Sequence, residues 1–216
     1  MYDAAVGFKP RPVLPSFALA PGAILRPLRR ADAGELFALV DAGRERLREW
    51  LPWLDFVREP RAMAAFIEDS EQAQRAGTAA RMAIEVHGRI AGVVSLEGVD
   101  VLHRRGMIGY WIDASHEGRG YVSTAVRRLC DYGFGSRGLH RIEIRAAPGN
   151  LRSRAIPERL GFQREGIARQ TEWLYDRYVD HVLYAMLAPD WVAQVVAERA
   201  GAIRRGPESA GLWPLG

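Results

Sequence analysis

From residue 80 the helical spacing of apolar positions gives way to short apolar runs: "RMAIEVHGRIAGVVSLEG" predicts two strands about a polar break at His87 and Gly88, which makes His87 a turn residue rather than a ligand. Strands are also expected in "GAILRPL" at residues 22 to 28 and "MIGYWID" at 107 to 113, and Ile142, Ile144 and Ala146 alternate with charged neighbours in "HRIEIRA" at 140 to 146. Two later strands follow, Phe162 to Thr171 and "YVDHVLYAML" at 178 to 187. Elsewhere the period lengthens. Asp32 with Glu35 marks a helix start, and Leu36, Leu39, Val40, Leu47, Trp50 and Leu51 keep roughly helical spacing to a stop near Pro52, with Gly34 and Gly43 weakening the run. Pro60 opens a second helix, with Met63, Phe66, Ile67 and Ser70 on one side and Gly77 at its close. Val122, Ala125, Val126 and Leu129 mark a third, and a short helical piece covers 151 to 160. Strands that precede, alternate with and follow helices predict a mixed α/β sheet with helices on both faces.

With 216 residues and 48% hydrophobic content, the chain supports one substantial core. The proline-rich "KPRPVLP" at 9 to 15 predicts an extended arm over residues 1–21, ahead of a main domain at 22–192 and a C-terminal helix and tail at 193–216. The formal charge of +4 and pI near 9.6 come from 30 basic residues interspersed with 26 acidic ones, and Lys9 is the only lysine. Such a surface is mixed, and without aromatics interleaved in a basic patch no direct nucleic-acid binding is expected. Arginine also suits bidentate contact with an anionic small ligand. The single cysteine, Cys130, lies on an apolar helical stripe and reads as a buried thiol, so no disulfide framework or cysteine-built metal site is expected. The five histidines show no ligand spacing, and no metal is expected. No 18 apolar residues follow one another and the first residues carry no leader pattern, so the expected location is cytoplasmic, with no membrane contact.

Candidate chemistry begins at "HEGRGYVSTAVRRL", residues 116 to 129. A strand runs into a glycine-rich turn, Gly118 and Gly120 about Arg119, and the turn opens a helix with Ser123 and Thr124 in its first turn. Free N–H groups and the positive end of the helix dipole would converge there on an anion. Alternatively the glycines only permit a tight turn. The stretch is neither a Walker motif nor a full dinucleotide fingerprint, since no G-K-[ST] follows and Ser123 stands at the last glycine position.

Five ordered segments resemble the GNAT superfamily of acyl-CoA-dependent N-acyltransferases, in particular its RimJ/RimL-like branch, the acetyltransferases of ribosomal-protein N-termini. They are "LRPLRRADAGELFALV", "LREWLPWL", "IGYWIDASHEGRGYVSTAV", "HRIEIRAAPGNLRSRAIPERLGFQREG" and "YVDHVLYAML", together spanning about residues 22 to 192. The resemblance implies an α/β (α+β) acyl-CoA N-acyltransferase fold: a mixed, mostly antiparallel twisted sheet of about seven strands, flanked by helices on both faces. It also implies acetyl-CoA as co-substrate, an amine acceptor, foremost a protein N-terminus, and a homodimer.

By the same resemblance the amides of Gly118, Arg119, Gly120, Tyr121, Val122 and Ser123 hold the pyrophosphate of CoA. A backbone N–H near Trp111 or Ile112 polarises the thioester carbonyl. The family loop has the form [QR]-x-x-G-x-[GA], here Glu117, Gly120 and Val122, so two of three positions depart and Glu117 sets a carboxylate near a phosphate. Read alone, Asn150 is a loop or cap residue and Ser153 a first-turn residue; by resemblance Asn150 contacts the cofactor arm and Ser153 lies beside the sulfur, able to protonate the leaving thiolate. Glu165 in "REG" stands where the branch has its proposed general base; read alone it is a solvated glutamate at a strand edge. Trp50 and Trp53, three apart, form either a substrate wall or a core plug. Besides a protein N-terminus, the acceptor class extends to a small amine (aminoglycoside, polyamine or amino acid), and a non-catalytic CoA-binding sensor is the other alternative.

Overall fold

The segments expected as strands do form them, and one more joins at the edge. The computed structural model describes residues 14–204, so most of the expected proline-rich arm and the tail after Arg204 lie outside the described residues. The strands are β1 (Phe17–Ala20), β2 (Ala23–Pro27), β3 (Ala80–Val86), β4 (Arg89–Asp100), β5 (Arg105–Ile112), β6 (Arg141–Ala146), β7 (Gln163–Leu174) and β8 (Arg177–Leu187). The helices are α1 (Ala33–Ala42), α2 (Arg44–Arg48), α3 (Pro60–Ala76), α4 (Tyr121–Asp131), α5 (Leu151–Arg159) and α6 (Ala188–Arg204). All eight strands share one sheet in the order β1-β2-β3-β4-β5-β6-β8-β7. The eighth, β1, lies in the segment expected as an arm, pairing antiparallel with β2.

Every strand pair is antiparallel except β5 with β6. A parallel pair needs a crossover, and α4 supplies it. One face of the sheet buries Leu25, Ile84, Ile142, Ile144 and Tyr184 against α4 and α6; Cys130 belongs to this core, and burial pushes its thiol well up. The other face buries Ala83 and Val93 against Leu36, Val40 and Ile67 of α1 and α3. Pro60 and Gly77 (φ 76°) bound α3 as predicted. The first helical run, in contrast, breaks at Gly43 and ends at Arg48, so Trp50 and Trp53 lie beyond it on a turn and share no helical face.

Asp32 does precede α1, yet its carboxylate caps no amide of that helix. It accepts two hydrogen bonds from Arg26, at 2.7 and 2.9 Å, and one from the Arg29 N–H at 2.7 Å. Arg26 and Asp32 are 4% and 7% exposed, and Glu85 takes the remaining Arg26 Nε–H at 2.5 Å. Removing Asp32 leaves the buried guanidinium with Glu85 as its remaining carboxylate, so Asp32→Ala should destabilise the fold by about 3 kcal/mol, the lower end for a broken buried pair, in urea unfolding. Asp69→Ala removes a largely exposed partner of Arg81 and should cost no more than about 1 kcal/mol. Equal losses for the two variants would show that the buried pair has no special weight.

Candidate active site

The parallel pairing of β5 with β6 runs from Arg105 opposite Arg141 to Ile108 opposite Ile144 and stops there. Beyond it, Gly109–Ile112 pair only with β4, while β6 continues to Ala146 along β8. The two strands therefore part at their C-terminal ends, and alternate residues of Gly109–Ile112 turn their N–H and C=O groups into the opening. Gly92 of β4 holds β5 close at this point: a Cβ there would stand 2.3 Å from the Trp111 carbonyl oxygen.

A cavity of about 160 Å³ fills the opening, with Ile108, Gly109 and Tyr110 on one side and Arg145 and Ala146 on the other. Asn150 and Ser153 reach it from the start of α5. Asn150 is the cap of that helix, its Oδ1 accepting the Ser153 N–H at 3.1 Å. Ser153 Oγ donates to Tyr110 Oη at 3.4 Å, and Tyr110 Oη donates to the Ser153 carbonyl at 2.8 Å. That carbonyl is free because its helical donor would be the N–H of residue 157, and Pro157 has none. Burial pushes the Tyr110 phenol well above its usual range, so it stays protonated and can donate.

Across the cavity are Glu172 and His181, with Trp50 at its rim. Glu172 Oε2 lies 3.3 Å from His181 Nε2, and both side chains are largely buried. β7 runs on to Leu174, past the predicted end at Thr171, and pairs Glu172 with Val179, so Glu172 shares a face with Val179 and, two residues along β8, with His181. Neither residue was among the sequence candidates. Their signal was a carboxylate and an imidazole interrupting the two arms of one hairpin, "TEWLYDRYVDHVL". The hairpin tip closes over the site: Tyr175 Oη donates to the Leu51 carbonyl at 2.5 Å, and its ring lies 3.7 Å from the Arg48 guanidinium.

Glu165 is not brought to this cavity. It sits at a bulge beside Arg164, whose partner Tyr184 is five residues along β8 from Val179, roughly 16 Å at strand rise. Both its oxygens bond Arg141, one at 2.8 Å, and that guanidinium holds its carboxyl below the usual carboxylate range, which makes it a weaker base.

The loop between β5 and α4 has the backbone that its glycines allow. Gly118 (φ 73°) and Gly120 (φ 81°) are left-handed, and a Cβ at either would meet no heavy atom within 4 Å, so the space above the loop is open. Thr124 N–H makes a helical bond to the Gly120 carbonyl at 3.0 Å, which leaves the amides of Tyr121, Val122 and Ser123 ahead of it. Val122 turns its side chain into the core and presents only backbone to the loop. The Ser123 hydroxyl accepts from Arg159 at 3.0 Å. Glu117 is engaged by two guanidinium groups, Arg46 at 2.7 Å and Arg152, so its charge is matched within the protein. Arg46 also donates to the Ile112 carbonyl at 2.8 Å, tying loop and α2 to the end of β5. The open space, the unpaired amides and the parted strands fit a phosphate-bearing donor with a thin arm. Among the described residues no group of three or more His, Cys, Asp or Glu could hold a metal ion, and no helix is long and apolar enough to cross a membrane.

Residues 23–163 match the acetyltransferase (GNAT) domain family. YdaF of Bacillus subtilis (strain 168), provisionally named a ribosomal N-acetyltransferase, is 35% identical over 171 residues, 77% of this chain and 92% of that protein. The ribosomal-protein-serine acetyltransferase of Escherichia coli (strain K12) is 30% identical over 152 residues, 70% of this chain and 85% of its own. The solved structure of RimL, a ribosomal L7/L12 alpha-N-protein acetyltransferase in complex with coenzyme A, superposes with a TM-score of 0.77 at 25% identity, covering 82% of this chain and 99% of that one.

Proposed function

The chain belongs to the GNAT acetyltransferase family, in its RimJ/RimL-like branch, and is an acyltransferase; from that premise we propose that it acetylates the N-terminal α-amine of a protein, a ribosomal one foremost, using acetyl-CoA. The observation that carries this is the cavity where β5 and β6 part, which gathers a hydroxyl, Ser153, and a carboxylate–imidazole pair, Glu172 with His181, around one small volume. Bound acetyl-CoA supplies the activated acyl thioester. The groups that would hold it are the amides from Gly118 to Ser123 with Arg119, the opened edge of β5 at Trp111 and Ile112, and Asn150.

Glu172, in place of Glu165, is the base in this proposal. An α-amine has a pKa of about 7.7 to 8.0, so at neutral pH only on the order of a tenth is free nucleophile, and a carboxylate in reach suffices to take its proton. His181 Nε2, 3.3 Å away, is placed to receive or return that proton. Ser153 Oγ holds a proton on the side of α5, and a β5 N–H supports negative charge at the acyl oxygen. Trp50 borders the acceptor's path, and an acceptor on the ribosome puts the enzyme in the cytoplasm.

The test is thiol release from acetyl-CoA against a panel of N-terminal peptides and small amines, with mass spectrometry to locate the acetyl group. The expected product is α-N-acetyl peptide. Acetylation confined to small amines or lysine side chains would overturn the acceptor, and no thiol release with any amine would overturn the activity.

A further inference from the structure

A second cavity, about 390 Å³, adjoins the catalytic one and shares Leu51, Gly109 and Tyr110 with it. Its remaining walls include Leu36, Trp53, Met63, Phe66, Val93 and Trp111, with the Trp53 and Trp111 rings 6.4 Å apart and tilted by 53°. A volume of that size holds a small ligand or a large side chain. Its charged lining residues are already paired: Arg81 bonds both oxygens of Glu97, at 2.6 and 3.0 Å, and Asp69 at 2.5 Å. The cavity therefore offers apolar contact, and neither the unspent carboxylates that would draw a polyamine nor a free cation for an acid.

Its position in the sheet tells which reactant the occupant belongs to. Along β8, Val182, Tyr184 and Met186 are buried toward α4, so Val179 and His181, with Glu172 opposite, face the other side, where α1 and α3 lie. The second cavity is on that same side, among Leu36, Met63 and Val93. α4, which the glycine-rich loop opens, packs on the opposite face, as does α5 through Ile156. A group in the cavity is thus attached to the amine that Glu172 deprotonates, and the donor approaches from the other face.

We propose that this cavity takes the side chain of the acceptor's first residue, and that the preferred acceptor is a peptide or protein beginning with a large apolar residue such as Met, Leu, Ile or Phe. The inference rests on the N-terminal acetylation proposed above and narrows its substrate class. One added apolar group in a fitted pocket changes kcat/KM by about 10- to 200-fold, which sets the scale of the effect.

The experiment uses peptides identical except for the first residue, Ser, Ala, Leu, Met or Phe, with acetyl-CoA, and compares kcat/KM by thiol release. The Leu, Met and Phe peptides should exceed the Ser peptide by about 10-fold or more. Met63→Trp, which narrows the cavity, should pull that ratio toward one or below it, and a melting temperature that rises with acetyl-CoA reports that the variant is folded. If Met63→Trp does not fold, Val57→Phe narrows the same cavity from its rim and is judged by the same ratio. α-N-Acetylation at equal rates for Ser and Leu, or faster for Ser, overturns the cavity assignment and leaves the N-terminal reaction standing. Faster transfer of hexanoyl than acetyl to the Ser peptide gives the cavity to the donor and overturns the inference. Absence of α-N-acetylation with every peptide overturns both.

Discussion

Glu172→Gln should lower turnover by about 10²-fold at pH 7, while Glu165→Gln stays within about 2-fold of the parent. Glutamine keeps the size and polarity of Glu172 but cannot take a proton, and it still reaches His181, so the cavity keeps its shape. The magnitude is set at the lower end of general-base effects because part of the amine is already free. The deficit should shrink as pH rises past about 8, where the amine loses its own proton to solvent. Acetyl-CoA affinity should not move, since Glu172 is on the face away from the glycine-rich loop. Glu165 has the opposite environment: Arg141 occupies both its oxygens and lowers its basicity. A full loss in Glu165→Gln with a silent Glu172→Gln would return the base to the position the sequence first suggested.

Gly120→Val should sharply reduce the thermal shift produced by acetyl-CoA, with a smaller loss for Gly120→Ala. The residue has φ 81°, and a β-branched side chain is a steric outlier there, at a cost of order 1 to 3 kcal/mol. No neighbouring atom would touch the new Cβ, so the effect is conformational and falls on the amides of residues 121 to 123. Each amide–anion contact contributes about 0.3 to 1 kcal/mol, so misdirecting three of them weakens binding by roughly 5- to 150-fold. A ligand at 100 times its Kd stabilises by about 2.7 kcal/mol, and that weakening would cut this to between about 1.8 and 0.3 kcal/mol. A Gly120→Val protein that melts as the parent does and keeps the parental shift would remove the loop from its role.

The strands, their period and the loop were legible because each is a local property. Short apolar runs about a polar break marked β3 and β4, alternation marked β6, and two glycines between a strand and an apolar helical stripe marked the turn at residues 118 to 120. The register of β7 was not. Its two irregularities, between Arg164 and Gly166 and between Ala168 and Glu172, displace side chains relative to β8, and no simple period predicts which glutamate then faces the gap. Trp50 and Trp53, three apart in the chain, part for a related reason: the chain leaves α2 at Arg48, and the two rings line different cavities.

By itself the sequence determined the fold class, the family and the glycine turn at residues 118 to 120, all set by short-range pattern and by residues whose backbone freedom is intrinsic. Tertiary structure decided how the long-range charges are spent. Glu117, which the sequence sets near a phosphate, is matched by Arg46 and Arg152 from α2 and α5; Glu165 is taken by Arg141; Pro157, inside the short α5, leaves the Ser153 carbonyl to Tyr110. Charge pairing and hydrogen bonding act across a few ångströms of space, and partners as far apart in the chain as Arg46 and Glu117 meet only once the sheet has folded.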